Sequence, residues 1–200
     1  EKGIFMPKVQ FSEIMERLKR EKKEKVLVLL GDVKHEFSET TYHEFAEVKE
    51  LFSWAVKRFE KVYLVRGNHD NFIAPLCRRF GVEFVEDLLL ERFFFFHGHK
   101  EIKIPKEADC IIMGHEHPAI ELASKTMKEK IKCFLYGEID GKKLIVVPAY
   151  STLMQGTEVN VVPKEELLSP LLRKIDLGEL KCLGIDEEVG FLKFPKLSLL

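Results

Sequence analysis

The sequence lacks any apolar run long enough to cross a membrane, and it carries no excess of either charge. Its longest wholly apolar stretches, such as Val26 to Leu30 and Phe93 to Phe96, fall far short of the roughly 20 residues of a membrane-spanning helix. The 32 basic and 33 acidic residues leave a net charge of −1, which gives no bulk attraction to nucleic acid or to an anionic membrane. A surface that binds phosphate must therefore be local.

The sequence also has few cysteines and few amides. Its four cysteines form no C-x-x-C pair, so we expect reduced residues of the interior and no structural zinc. No basic-then-apolar signal segment opens the sequence, so a cytosolic location is expected. Three Asn and two Gln stand beside many Lys and Glu, a bias found in proteins that work at high temperature.

Helical and strand patterns alternate in the first half of the chain. Residues 9–24 and 43–59 carry apolar residues at helical spacing. The apolar runs at 26–30 and 62–65 lack polar alternation, which predicts strands buried on both faces. This order predicts a parallel βαβ arrangement with helices covering the sheet. Two further elements are predicted, a short helix over 72–80 and a strand over 82–85.

The second half is richer in strands. Strand candidates lie at 88–96, 110–113, 131–139 and 143–148, and Asp140-Gly141 predicts a hairpin turn between the last two. We expect a mixed α/β fold with one domain over 1–163 and a tail over 164–200, a short helix and strands that pack on that domain. Apolar residues of the tail leave two partners open, the body of the domain and a second subunit of a homo-oligomer. They are Phe191, Phe194 and Leu197.

Glycine with Asp, Asn or His follows four of the predicted buried strands. VLVLL is followed by GD, VYLV by RGNHD, FFFF by HGH and CIIM by GHEH. Open α/β sheets place ligand sites at the carboxyl ends of their strands, so we expect these side chains to converge. The converging residues are Asp32, Asn68, His97, His115 and His117. Gly31, Gly67, Gly98 and Gly114 allow tight turns, left-handed ones included, that aim these side chains inward.

Oxygen and imidazole donors without thiolate favour divalent Mn, Fe, Ni or Zn. Five donors are more than one tetrahedral zinc ion binds, which predicts two ions bridged by Asp32. Such a pair activates water and stabilises both oxygens of a phosphoryl transfer. A single histidine after a strand is most often a hydrogen-bonded structural residue, but the repetition at four strand ends favours a site.

The succession GD (31–32), GNHD (67–70), HG (97–98) and GHEH (114–117) resembles the calcineurin-like metallophosphoesterases over most of the chain. GDVKH at 31–35, the helix 43–59 and VPAYSTLMQGTEVN resemble an archaeal subgroup related to the SbcD nuclease. The resemblance implies two mixed β-sheets packed as a sandwich and flanked by helices. It also implies hydrolysis of a phosphoester with two divalent ions, manganese being the first expectation.

The resemblance assigns the metal ligands residue by residue. It implies that Asp32 bridges both ions and that His117 serves the first. It further implies that the second ion is completed by Asn68, His97 and His115.

The resemblance also assigns residues that act on the substrate. His69 would be the general acid that protonates the leaving alkoxide, a role suited to an imidazole that titrates near neutrality. Asp70 would orient His69. His35 matches a histidine that nucleases of this family place beside the substrate, and a surface turn residue is the alternative.

This sequence departs from the family's pattern at its start. Members begin with a strand that ends in Asp-x-His and supplies two ligands of the first metal, whereas here Glu1 stands shortly before the helix 9–24. We expect a truncation of about one strand and its turn. The first metal then keeps only Asp32 and His117, which predicts one firmly held ion, a weak or empty first site and reduced hydrolysis.

Three classes of function are compatible with the sequence. The first is a phosphodiesterase that acts on DNA, RNA or a small diester, with Lys34, Arg66 and Lys100 as candidate phosphate contacts. The second is a catalytically silent binding module or subunit of a nucleic-acid-processing assembly. The third is a phosphomonoesterase. The intact GNHD and GHEH favour an enzyme.

Overall fold

The computed structural model describes residues 25–34, 42–124, 127–151, 154–186 and 189–200. The predicted helix 9–24 and the predicted substrate contact His35 lie outside the described residues. Within those residues, no helix has the length and apolar character needed to span a membrane.

A small parallel sheet and two helices form the first part of the fold. The sheet has three strands in the order β1-β2-β3, all parallel. Helix α1 lies between β1 and β2, and helix α2 lies between β2 and β3, so the predicted βαβ arrangement is confirmed. The elements are β1 (Val26–Leu29), α1 (Tyr42–Arg58), β2 (Lys61–Val65), α2 (Ala74–Phe80) and β3 (Glu83–Val85).

The helices cover the sheet with apolar side chains at helical spacing. In α1, Val48, Phe52 and Ala55 are at most 3% exposed, and they stand at i, i+4 and i+7 on one face. Helix α2 has a proline at its start and ends at Gly81, whose φ of 74° is the left-handed conformation of a helix C-cap. The predicted second strand is buried along Val62 to Val65.

The first strand differs from its prediction. We expected VLVLL to be buried on both faces, but residues 27–29 of β1 are only half-buried and Val26 is 39% exposed. The reason is the strand order: among the described residues, β1 pairs only with β2 and forms an edge of the sheet. An apolar run therefore indicated a strand here but not its position in the sheet.

A mixed sheet forms the second part of the fold. Its main path runs in the order β10-β7-β8-β9-β6-β5-β4, and a hairpin, β11–β12, pairs with β8. Its strands are β4 (Asp87–Leu90), β5 (Phe93–Phe96), β6 (Cys110–Met113), β7 (Pro118–Ala123), β8 (Lys128–Ile139), β9 (Lys142–Val146), β10 (Thr157–Glu158), β11 (Lys181–Asp186) and β12 (Gly190–Lys196).

One strand prediction in this part is wrong in detail, and one strand was missed. The candidate at 88–96 is two antiparallel strands, β4 and β5, because the charged pair Glu91-Arg92 forms a turn with Glu91 at a φ of 53°. Strand β7 was not predicted, since it follows directly on GHEH and begins with Pro118. The turn at Asp140-Gly141 joins β8 to β9 as predicted.

The tail lies against the mixed sheet. In place of the predicted short helix, the described residues form 3-10 turns at Lys164–Glu166 and Leu177–Glu179. Leu197 is 8% exposed in the core and Phe194 packs against that core, whereas Phe191 is 66% exposed. Two of the three apolar tail residues therefore pack on the body. The four cysteines are free and buried, as expected.

The carboxyl ends of strands from both sheets meet at one place. The ring of His97, directly after β5, lies against the carbonyl of Leu30 at the end of β1. The Gly114 N–H after β6 donates to the carbonyl of His97 at 3.0 Å. The Asp32 N–H donates to the carboxylate of Asp70, which follows β2, at 2.8 Å. The loops that carry the predicted ligands are thus neighbours.

Candidate metal centre

Three of the predicted ligands sit on left-handed backbone. Asp32, His115 and His117 have φ angles of 52°, 62° and 50°. This conformation is uncommon for residues other than glycine and persists only where the surroundings hold it. Its concentration at strand ends that face one another indicates a built site.

Glycines let the backbone approach these side chains. A Cβ on Gly31 would clash with the ring of His97, and a Cβ on Gly67 would clash with the carboxylate of Asp32. Gly31 and Gly98 take the left-handed turns that the sequence suggested, with φ of 89° and 114°. Gly67 is not left-handed, so this position requires glycine for close packing instead.

Three predicted ligands converge on one atom of a fourth, Nε2 of His97. It lies 3.1 Å from Oδ2 of Asp32, 3.2 Å from Oδ1 of Asn68 and 3.2 Å from Nδ1 of His115. His97 is 2% exposed. Ligand atoms of Asp32, His97 and His115 all lie within 4.8 Å of one another. The structure therefore brings together the residues predicted for the second metal.

The hydrogen bond on the far side of His97 fixes its tautomer. Nδ1 lies 2.5 Å from the carbonyl oxygen of Leu30, which only accepts, so Nδ1 carries a proton. Nε2 then offers a lone pair to a cation, as in many metal sites. The cluster offers two oxygens, from Asp32 and Asn68, and two ring nitrogens, from His97 and His115. These donors fit a divalent Mn, Fe, Ni or Zn ion.

The charges of Asp32 and His97 act on each other. Burial lowers the pKa of His97, but the hydrogen bond and charge of Asp32 outweigh burial and raise this pKa above its usual value. Burial raises the pKa of Asp32, but the hydrogen bond and charge of His97 oppose burial, and this pKa lies below its usual value. Burial lowers the pKa of His115 to about 4, so its ring stays neutral and free to bind a cation. Protons and metal ions therefore compete mainly at His97.

His117, the fifth predicted ligand, lies outside the cluster of Asp32, His97 and His115. Burial lowers its pKa, and the charge of Asp32 acts in the opposite direction. The charges of Lys132 and His69 also act on it. The charge of His97 acts on His117 as well, so His117 borders the cluster without belonging to it.

Asp70 joins the two loops that carry Asp32 and Asn68. It is 1% exposed, and its carboxylate accepts the backbone N–H groups of Asp32 at 2.8 Å, Val33 at 3.0 Å and Gly67 at 2.8 Å. Burial raises its pKa, while these hydrogen bonds lower it in part. The sequence analysis missed this role, although aspartate is a usual acceptor in tight loops. That Asp70 orients His69 stays a prediction.

Glu116 is a second residue that the sequence analysis missed. It is fully buried, and its carboxylate accepts the N–H groups of Leu168 at 3.2 Å and Ser169 at 2.8 Å. It thereby ties the GHEH loop to the tail. The sequence signal for this role was the position of Glu116 between the predicted ligands His115 and His117.

The candidate substrate contacts are placed unevenly. Lys34 is 4% exposed, and its role as a phosphate contact stays a prediction. Arg66 and Lys100 are about half exposed at the same edge as the cluster, where both contact Glu86. His69 is half-buried, and its backbone N–H donates to Oδ1 of Asp32 at 3.0 Å.

The family is shown by sequence. The pattern of the calcineurin-like phosphoesterases matches residues 8–110, more than half of the 200 residues. The chain belongs to the calcineurin-like phosphoesterase family. The mixed α/β fold and the candidate metal cluster agree with this membership, and the family implies a divalent metal.

Solved structures resemble the chain at low identity. The nuclease MPE from Pseudomonas putida is 22% identical with a TM-score of 0.63, over 91% of this chain and 79% of the nuclease chain. A Vps29 single mutant from Entamoeba histolytica is 13% identical with a TM-score of 0.36, over 98% of this chain and 93% of the Vps29 chain. None of the curated proteins matches the chain. The likeness to the nuclease shows a shared fold.

Proposed function

We propose that this chain is a phosphodiesterase that uses two divalent ions, with manganese as the preferred metal. The observation that carries the proposal is the convergence of Asp32, Asn68 and His115 on Nε2 of His97. In the proposed arrangement these four residues hold the second ion. Asp32 and His117 hold the first. When bound there, the ions would supply an activated water nucleophile and positive charge to neutralise the phosphate.

The chain's own residues position the substrate and move a proton. The backbone N–H of His69 donates to Asp32, and Asp70 braces the loop that carries His69. In this proposal His69 protonates the leaving alkoxide. Asp70 keeps the loops of Asp32 and Asn68 at a fixed spacing. His35 contacts the substrate in this proposal.

A nucleic acid is the preferred substrate class in this proposal. The motifs that resemble the subgroup related to the SbcD nuclease support this class. The structural neighbour from Pseudomonas putida is itself a nuclease, which adds support. We further propose a cytosolic protein and a single domain over 1–163 on which the tail 164–200 packs.

Hydrolysis of bis(p-nitrophenyl) phosphate tests the proposal. We expect Mn²⁺ to restore activity to chelator-treated protein. With a dinucleotide, whose leaving group is an alkoxide, we expect His69→Asn to reduce kcat by about 100-fold while Mn²⁺ affinity changes little. Lys196→Gln, in a surface ion pair with Glu179, is the control. Retention of Mn²⁺ without hydrolysis of any phosphoester would instead favour a catalytically silent binding module. Hydrolysis of monoesters alone would favour a phosphomonoesterase.

A further inference from the structure

Two cations share one carboxylate at the edge that carries the candidate metal centre. Nη1 of Arg66 lies 2.9 Å from Oε1 of Glu86, and Nζ of Lys100 lies 2.5 Å from Oε2 of the same residue. Arg66 follows β2, Glu86 follows β3 and Lys100 follows the HGH segment after β5. We call these three residues the rim cluster. Its charge is +1 when all three are ionised.

The rim cluster borders the predicted ligands. Nη2 of Arg66 lies 3.4 Å from Oδ1 of Asn71, whose amide nitrogen lies 3.4 Å from the carbonyl oxygen of Asn68. The charges of Lys100 and Glu86 act on His99. The ring of His99 lies 5.3 Å from that of His97.

The rim cluster is open to a ligand and has one cation too many for its carboxylate. The side chains of Arg66, Glu86 and Lys100 are 43%, 50% and 48% exposed. By contrast, Lys196 and Glu179 form a one-to-one pair on the surface. Exposed ion pairs contribute little free energy, so each cation can exchange the carboxylate for a phosphate at small cost. Arginine matches the geometry of a phosphate with two parallel hydrogen bonds.

We propose that Arg66 and Lys100 bind a second phosphate of the substrate, beside the phosphodiester at the metal centre, and that Glu86 competes with this phosphate. The inference rests on the proposed function and narrows it. Substrates with two neighbouring phosphates, as in an oligonucleotide, are preferred over an isolated diester. Glu86 is then the residue that limits this preference.

Equilibrium binding of two nucleotides tests the proposal. Calorimetry in the presence of Mn²⁺ compares thymidine 3′,5′-bisphosphate with thymidine 5′-monophosphate, and we expect the wild-type chain to prefer the bisphosphate. Arg66→Gln and Lys100→Gln each reduce this preference by about fivefold, the loss of one phosphate contact at an exposed site. Glu86→Gln raises the preference by about threefold. Lys196→Gln, the control, leaves it unchanged.

Two results would overturn the proposal. One is a wild-type chain without preference for the bisphosphate. The other is a preference that survives unchanged in Arg66→Gln and Lys100→Gln. Because Glu86→Gln predicts a gain, loss of folding in the other variants cannot imitate the whole pattern. Failure of the proposed function is distinct, since it shows as a lack of phosphodiester hydrolysis by the wild-type chain and leaves this binding comparison intact.

Discussion

The two predicted metal sites differ in how completely the described residues build them. Around the second site, donors from three neighbouring loops meet at Nε2 of His97, which is held from behind by the carbonyl of Leu30. For the first site, Asp32 and His117 are the predicted ligands, and His117 lies outside the cluster. A site able to hold an ion is therefore identified by donor atoms that lie close together, and not by the number of histidines nearby.

The loops that carry the predicted ligands are also braced differently from one another. Asp70 joins the loops of Asp32 and Asn68 through three backbone N–H groups. The loop of His115 and His117 is anchored to the tail through Glu116. One brace therefore acts between ligand loops, and the other connects a ligand loop with the rest of the fold.

His97→Ala is the most direct test of the second metal site. It removes the atom on which the second site converges, so we expect Mn²⁺ affinity to fall by about 100-fold or more. Calorimetric titration with Mn²⁺ measures the change. Lys196→Gln is the control for handling and folding. Retention of Mn²⁺ at wild-type affinity by His97→Ala would contradict the assignment.

Asp70→Ala tests the brace between ligand loops. It leaves three backbone N–H groups without their acceptor, all of them in the loops that carry Asp32 and Asn68, and each costs about 1–3 kcal/mol if it stays buried. We therefore expect a lower free energy of unfolding together with weaker Mn²⁺ binding. Denaturant titration and calorimetry measure the two effects.

Glu116→Ala is the matched comparison for this prediction. It also removes a buried carboxylate, but its partners lie in the tail, so we expect lower stability with Mn²⁺ affinity reduced much less than in Asp70→Ala. Equal loss of Mn²⁺ affinity in both variants would show that the two braces do not differ in the way described.

Gly67→Ala tests close packing against a ligand. A Cβ at this position would clash with the carboxylate of Asp32, so we expect Mn²⁺ affinity to fall by about tenfold through displacement of that ligand. Gly141→Ala is the control because, its chain neighbours aside, no described residue has a heavy atom within 4 Å of the added Cβ, although its φ of 74° strains the backbone. Stability falls in the control while Mn²⁺ affinity holds. The reverse pattern would argue against the role of Gly67.

The smallest effect that we expect is the pH dependence of metal binding. A proton on Nε2 of His97 excludes the ion, and the pKa of His97 lies above its usual value. Affinity is therefore reduced below that pKa and recovers as the pH rises through it, by at most about tenfold per pH unit. His115, with a pKa of about 4, contributes little near neutrality. A flat affinity for Mn²⁺ between about pH 6 and pH 8 would contradict this assignment.

Much of the fold followed from patterns along the chain. Helical spacing located α1, and short apolar runs located β2 and β6 to within a residue or two. Glycine with Asp, Asn or His at strand ends located the residues that converge on His97. These signals are local, and the carboxyl ends of parallel strands bring them together whatever the details of the rest.

The remaining features depend on partners that lie far away in the sequence. Whether β1 is an edge or a central strand depends on pairing, which an apolar run does not encode. The burial of Glu116 depends on its contacts with Leu168 and Ser169, which lie far away in the sequence. Asp70 was assigned a catalytic role from its motif, while its contacts with backbone amides required the structure.

The metal content of matched variants is the most direct test of the central claim, that the second site is the more complete one. Wild type, His97→Ala and His117→Ala are dialysed against Mn²⁺ and then buffer, and bound manganese is measured by elemental analysis. We predict about one ion per chain in wild type and in His117→Ala, and close to none in His97→Ala. Equal retention in the two variants, or no retained ion in wild type, would contradict the account.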